Sequence, residues 1–198
     1  MINYVVLSLG EIIREGCDIQ IIEEIFKKFS CQRETDLENF LNKRAITYEK
    51  ADHGKTYLIV DKDKLENNEF VVVAYFTIAN TSVDISKLPK KRKRSALGNY
   101  PGRDSLDSVP AYLIGQLGRT DHYVSSDLPG ETILNECYHA ISIAARVVGG
   151  RLLILECREG MFEKFYEKHG FKKLYDELSE DKLYTLYKQI DFNEYWTK

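Results

Sequence analysis

Hydrophobic runs of membrane-spanning length are missing from this 198-residue chain. A spanning helix needs roughly 18 to 20 consecutive apolar residues, and no stretch approaches that, so no membrane partner is expected. Met1–Leu9 carries no basic segment leading into an apolar core, which argues against a secretory leader and for a cytoplasmic protein. Cysteine is scarce and dispersed: Cys17, Cys31, Cys137 and Cys157 offer no C-x-x-C interval. Reduced structural thiols are the expected reading. The four histidines, His53, His122, His139 and His169, form no H-x-x-x-H pair, so no metal site is expected. Tryptophan occurs once, at Trp196, and no aromatic residue interrupts the main basic run, so sequence-specific nucleic-acid reading is not indicated.

What is present suits a compact soluble protein. A hydrophobic content of 43% excludes general disorder, and 198 residues fit one domain, 1–198, large enough to enclose a core. Asp18 is placed to cap a helix with Ile19, Ile22, Ile25, Phe26 and Phe29 on one face. A second helical stretch begins near Thr35 or Asp36 and aligns Leu37, Phe40, Leu41, Ala45 and Tyr48. A helical pair is therefore expected to open the fold. Thr56–Asp61 (TYLIVD) and Phe70–Ile78 (FVVVAYFTI) are rich in β-branched and aromatic residues, and read as an antiparallel hairpin across a turn-like Lys62–Asn68.

Lys87–Arg103 differs from its surroundings, with seven basic residues and no acid. Removing those seven charges from the net −3 leaves −10 elsewhere, so charge is strongly polarised. Asn99, Pro101 and Gly102 predict an irregular connection there. Tyr112–Leu117 then reads as a strand, Gly130–Val148 as a long helix, Leu152–Cys157 as a strand and Met161–His169 as a short helix. Two further strands are expected at Lys172–Leu174 and Leu183–Gln189. Alternation of this kind predicts an α/β fold on a mixed, mostly antiparallel sheet.

Three segments together resemble the GNAT family of N-acetyltransferases: Val109–Arg119 (VPAYLIGQLGR), Leu128–Leu134 (LPGETIL) and Phe165–Phe171 (FYEKHGF). The strongest resemblance spans residues 109–186. It implies one domain with helices on both faces of the sheet and a splayed central strand pair. The co-substrate it implies is acetyl-CoA, whose pantetheine arm would lie against Leu117, Gly118 and Arg119. Gly118 suits a β-bulge because it tolerates unusual backbone angles. The pyrophosphate would meet Leu128, Gly130, Glu131 and Thr132 at the helix start, where unpaired amides and the positive end of the helix dipole favour an anion. The sequence departs from the family here, reading DLPGET at Asp127–Thr132 where Q/R-x-x-G-x-G/A is usual.

Tyr166 resembles the tyrosine that many family members use to protonate the departing thiolate. A phenol with a pKa near 10 keeps its proton at neutral pH and suits that role. Phe162, Phe165, Tyr166 and His169 also make a helical stripe, so a packed core aromatic is the competing reading. No general base is assigned; Glu156 and Tyr112 lie on the nearest strands. An amide near Leu117 would receive the oxyanion.

The basic tract and helical opening also resemble the toxin-like branch that acetylates aminoacyl-tRNA. That branch implies tRNA contacts through Lys90, Lys91, Arg92, Lys93 and Arg94 and a neighbouring antitoxin. A solvated basic linker is the plain alternative. Three functions therefore stand at this stage: acetyl transfer to a primary amine, toxin-type acetylation of aminoacyl-tRNA, and a non-catalytic acyl-CoA- or partner-binding module. Monomer and homodimer are equally compatible with the sequence.

Overall fold

The computed structural model describes residues 1–191; Trp196 lies outside them. The chain opens with a strand, β1 (Tyr4–Ser8), and not with helices. Its five residues pair antiparallel with β2 (Lys55–Asp61), from Tyr4↔Asp61 to Ser8↔Tyr57. Ser8 then caps α1 (Leu9–Arg14), its hydroxyl accepting from the Glu11 N–H at 3.4 Å. Asp18 caps α2 (Ile19–Phe26), its carboxylate accepting from the Gln20 N–H at 2.9 Å, as the sequence predicts. The second predicted helix is two, α3 (Thr35–Lys43) and α4 (Ala45–Lys50), because Arg44 leaves helical geometry at φ −125°. Leu41 and Ala45, on either side of that break, are both buried.

The predicted hairpin is β2 with β3 (Val72–Asp84), whose register shifts at Ile59/Val60. Its connection contains α5 (Lys62–Glu66) where a plain turn is expected. Asp61 explains the helix, since its side chain accepts from the Lys64 N–H at 3.1 Å. Further along come α6 (Lys90–Leu97), a 3-10 turn at Arg103–Ser105, β4 (Ser108–Arg119) and α7 (Gly130–Val148). β5 (Leu152–Arg158), α8 (Glu159–Met161), β6 (Lys172–Lys173) and β7 (Leu183–Gln189) complete the order.

The strands form one seven-stranded sheet ordered β1-β2-β3-β4-β5-β7-β6. β3 and β4 run antiparallel: the Thr120 N–H reaches the Val73 carbonyl at 2.9 Å and the Ile85 N–H reaches the Asp107 carbonyl at 2.7 Å. Among the described residues β4 and β5 are the one parallel pair, and they pair over Tyr112–Ile114 against Leu153–Leu155. Both strands run on, to Arg119 and Arg158. β5 pairs antiparallel with β7 along its whole length.

The chain falls into two compact units. The first contains Met1–Ala79 and Gln116–Ala140. Alternation along β2 turns Leu58 and Val60, and the register shift lets their β3 partners Tyr75 and Val72, three residues apart, face the same way, toward Leu9, Phe26, Phe29 and Leu41 of the helical layer. Tyr75 is fully buried, and its hydroxyl donates to the Leu37 carbonyl at 2.6 Å, which meets the polar demand of a core tyrosine. Another tie links β1 to α7, with the Tyr4 hydroxyl donating to Glu136 Oε1 at 2.7 Å. Burial, then that hydrogen bond and the Glu136 charge, push the Tyr4 pKa up to about 12. The buried Glu49 carboxylate, 5% exposed, accepts from the Thr56 N–H at 2.8 Å and pairs with Lys55 at 3.2 Å.

The second unit contains Asn80–Gly115 and, of the described residues, 141–191. Its core joins Leu88, Ala96 and Leu97 to Val109, Ile154, Leu174 and Tyr187. The basic tract thus holds a regular helix where the sequence predicts an irregular connection. Lysine and arginine are good helix formers, and the breakers Asn99, Pro101 and Gly102 all fall after the helix ends at Gly98 (φ 59°).

Among the described residues no helix is long and apolar enough to cross a membrane. Of the four thiols, Cys17 is exposed and Cys31, Cys137 and Cys157 are buried. Burial pushes the buried thiols up, Cys157 to about 11, which suppresses the reactive thiolate. Brief iodoacetamide treatment of native protein at mildly alkaline pH should therefore label Cys17 alone. Intact-mass measurement checks this, and rapid addition of more than one alkyl group contradicts it.

Candidate active site

In the first unit, Leu117, Gly118 and Arg119 form the carboxyl end of β4. Gly118 does not adopt left-handed geometry, so its backbone angles are not what requires glycine there. Its missing side chain has another cause: a Cβ there would stand 2.3 Å from Leu37 Cδ1 and 3.3 Å from Leu37 Cγ. Glycine lets α3 press Leu37 onto the strand. Nothing in the local pattern around Gly118 identifies that partner, which lies 81 positions earlier.

Arg119 holds the connection that follows. Its Nε donates to the Tyr123 carbonyl at 3.0 Å, and its Nη1 donates to the Leu128 carbonyl. Burial lowers the Arg119 pKa, the cost of placing a guanidinium among protein atoms. Asp127, the acid in the customary Gln/Arg position, serves the loop: Oδ2 accepts from the Val124 N–H at 2.9 Å, while the Asp127 carbonyl accepts from the Ile2 N–H at 2.9 Å. An Asp side chain returning to a nearby backbone amide is a common turn device, and the Ser125–Gly130 composition carries that signal. Thr120 and Asp121 anchor the other end, with the Gln32 N–H reaching Asp121 Oδ2 at 2.6 Å and the Thr120 hydroxyl donating to the Ser30 carbonyl at 3.1 Å.

α7 starts at Gly130, as predicted. Leu128 is fully buried, its N–H donates to the Val124 carbonyl at 3.3 Å, and its own carbonyl is held by Arg119. Its part is therefore to support the loop. The Thr132 N–H is also committed, donating to the Pro129 carbonyl at 3.0 Å. Gly130 and Glu131 are the first-turn positions whose amides lack an intrahelical acceptor, at the positive end of a 19-residue helix. This donor set suits an anion such as pyrophosphate without needing a side-chain cation.

In the second unit, the predicted helix 161–169 is irregular. α8 passes into a π-helical turn, Phe162–Tyr166, and then a 3-10 turn, Glu167–His169, closed by Gly170 in left-handed geometry (φ 79°). π turns inside helices recur at functional positions. Tyr166 ends this one, 8% exposed, its ring edge-on to Phe171 at 5.4 Å and to Phe165 at 5.1 Å. Neither base candidate stands out: the Tyr112 hydroxyl donates to the Gly149 carbonyl, and Glu156 accepts from the Thr185 hydroxyl at 3.4 Å.

The basic tract is divided in use. Lys93 is 6% exposed, and its ammonium donates to the Leu106 carbonyl at 2.8 Å. Arg92 donates to the Lys173 and Leu174 carbonyls at 2.7 and 3.3 Å and pairs with Asp176 at 2.7 Å. These two therefore serve the fold first. Lys90, Lys91 and Arg94 are exposed. Among the described residues no three His, Cys, Asp or Glu side chains are grouped to hold a metal ion.

A sheet of this order, with one parallel pair among the described residues and a long helix between its two strands in sequence, is a GNAT-like fold. Solved structures with this fold match the chain almost end to end. AtaT, as a Tyr-to-Phe mutant toxin bound to the C-terminus of the antitoxin AtaR and acetyl-CoA, matches with a TM-score of 0.66 at 15% identity, covering 98% of this chain and 99% of AtaT. AtaT complexed with acetyl-methionyl-tRNAfMet matches at 0.66 and 17% identity, covering 94% and 95%. A Tyr-to-Phe mutant of KacT matches at 0.67 and 18%, covering 92% and 93%. At these identities the likeness is one of fold. No family model and no curated protein matches the chain.

Proposed function

We propose that residues 1–198 act as one acetyl-CoA-dependent N-acetyltransferase whose acceptor is the α-amino group of an aminoacyl-tRNA. The observation that carries this reading is the end-to-end fold match to AtaT, solved with acetyl-CoA in one structure and with acetyl-methionyl-tRNAfMet in another. An antitoxin partner follows from the same comparison.

The chain's own groups fit the chemistry. The Gly130 and Glu131 amides would receive the pyrophosphate, with Thr132 beside them, on a loop held by Arg119, Asp127 and Leu128. Leu117–Arg119 would offer backbone to the pantetheine arm, and the Leu117 amide would stabilise the oxyanion. Acetyl-CoA, when bound, supplies a thioester carbonyl open to attack by an amine. Tyr166 would hold the proton that the leaving thiolate takes up. With Tyr112 and Glu156 both hydrogen-bonded elsewhere, an acceptor that needs little deprotonation is favoured. An α-amino group, with pKa about 7.7–8.0, is substantially neutral at physiological pH, whereas a lysine amine near 10.4 is not.

Mass spectrometry after incubation with acetyl-CoA and separate pools of aminoacyl-tRNA, peptides and polyamines tests the proposal. Acetylation confined to the tRNA pool is expected. Modification of peptides or polyamines alone would leave a GNAT enzyme of another kind, and no thermal stabilisation by saturating acetyl-CoA would replace catalysis with a partner-binding role.

A further inference from the structure

Two basic segments some 80 residues apart in sequence meet in the second unit. The Arg92 guanidinium of α6 holds the backbone carbonyls of Lys173 and Leu174, at β6 and just beyond it. Beside this junction lies an open groove of about 620 Å³ with Lys91 and Arg92 on one wall, Lys172 and Lys173 on the other, and Phe162 and Tyr187 in its lining. The Lys173 ammonium is held over the Tyr184 ring, 3.6 Å from its centroid, and 4.9 Å from that of Phe162. Lys91 and Lys172 are exposed and, among the described residues, have no acidic partner within ion-pair reach. Glu167 is the one acid in the lining.

We infer that this groove binds the phosphate backbone of RNA, with Lys91 and Lys172 as direct contacts and Arg92 and Lys173 as cations fixed in advance. The inference rests on the aminoacyl-tRNA reading for the identity of the polyanion. It adds β6, which no basic run in the sequence marks. With Asp176 paired to Arg92 and Glu167 in the lining, four cations against two acids leave an excess of two positive charges, and Lys91 and Lys172 on opposite walls suit successive phosphates better than one compact anion. An acidic peptide fits less well. β6 is a two-residue edge strand carrying lysine at both positions, too short to template strand addition, so a peptide would find charge there but no ladder.

The test compares wild type, the double variant Lys91→Glu/Lys172→Glu, and a control, Lys50→Glu, an exposed lysine outside the groove. Binding of uncharged tRNA is measured by fluorescence anisotropy across a salt series, and acetyl transfer is measured to aminoacyl-tRNA and to a free amino-acid ester. The double variant should bind tRNA at least about tenfold more weakly at physiological salt, with the slope of log K on log salt reduced by about two. KM for aminoacyl-tRNA should rise while transfer to the ester stays unchanged. Binding and salt slope equal to wild type would overturn the inference, as would a wild-type protein that binds labelled polyglutamate and no tRNA. If wild type binds tRNA through this groove yet acetylates no aminoacyl-tRNA, the acceptor reading fails and the groove stands. If the double variant acetylates aminoacyl-tRNA with unchanged KM, the groove fails and the acceptor reading stands.

Discussion

Replacing Tyr166 with Phe is expected to slow acetyl transfer by roughly 10²- to 10⁴-fold, the range in which a positioned general acid contributes. The substitution removes one oxygen and keeps the ring. The edge-on contacts with Phe165 and Phe171, at 5.1 and 5.4 Å, depend on the ring and survive. Folding stability should therefore fall by no more than about 1 kcal/mol, the usual worth of one hydrogen bond. Affinity for acetyl-CoA should also hold, because the proposed coenzyme contacts are backbone groups on β4 and α7. The outcome that separates chemistry from packing is a large drop in kcat with little change in the acetyl-CoA Kd by calorimetry. A rate within twofold of wild type would assign Tyr166 to the core.

Gly118→Val carries the largest expected effect on stability. A Cβ at this position would enter Leu37 at 2.3 Å, and the two further methyls of valine enlarge the conflict. Overfilling of this kind costs about 1–3 kcal/mol, seen as a lower urea midpoint at unchanged slope. Because the displaced backbone is the proposed pantetheine contact, acetyl-CoA affinity should fall with it. Leu37→Ala in the same chain should restore part of the loss, giving a coupling of about 0.5–3 kcal/mol in a double-mutant cycle. Simple additivity of the two substitutions would show that the valine is disfavoured for another reason. The cycle is useful because it tests an observed packing contact separately from the proposed coenzyme role of the same residue.

Much of the carboxyl half is legible in the sequence, because its signals are local. The Gly130–Val148 helix has 19 residues of consistent periodicity between a Pro-Gly start and a Gly-Gly end, and its bounds agree with the structure. Gly170 likewise declares the left-handed closure before Phe171. β1 is hidden because Tyr4–Ser8 is only five residues long and runs without a loop into the helix that Ser8 caps. α6 is obscured by charge: a run of five cations says little about conformation when its breakers lie beyond its end. The candidate site divides the same way. Tyr166 and the helix start are visible as motifs, whereas the Leu37 seat on Gly118, the Arg119 clamp and the Arg92 bridge join residues far apart in sequence or depend on side-chain directions. Sequence spacing carries no record of those.

The π turn at Phe162–Tyr166 has an arithmetical consequence. Its backbone bonds close over five residues where an α-helix closes over four, so the segment accommodates one residue more than regular winding would. Each helical residue advances the chain by about 100°. Excising that surplus residue would let the turn relax to ordinary winding with the flanking segments near their present orientation, whereas the same deletion from a regular helix would turn everything after it by that angle. The segment is therefore the one place in this helical stretch where losing a single residue should leave the left-handed closure at Gly170 in position.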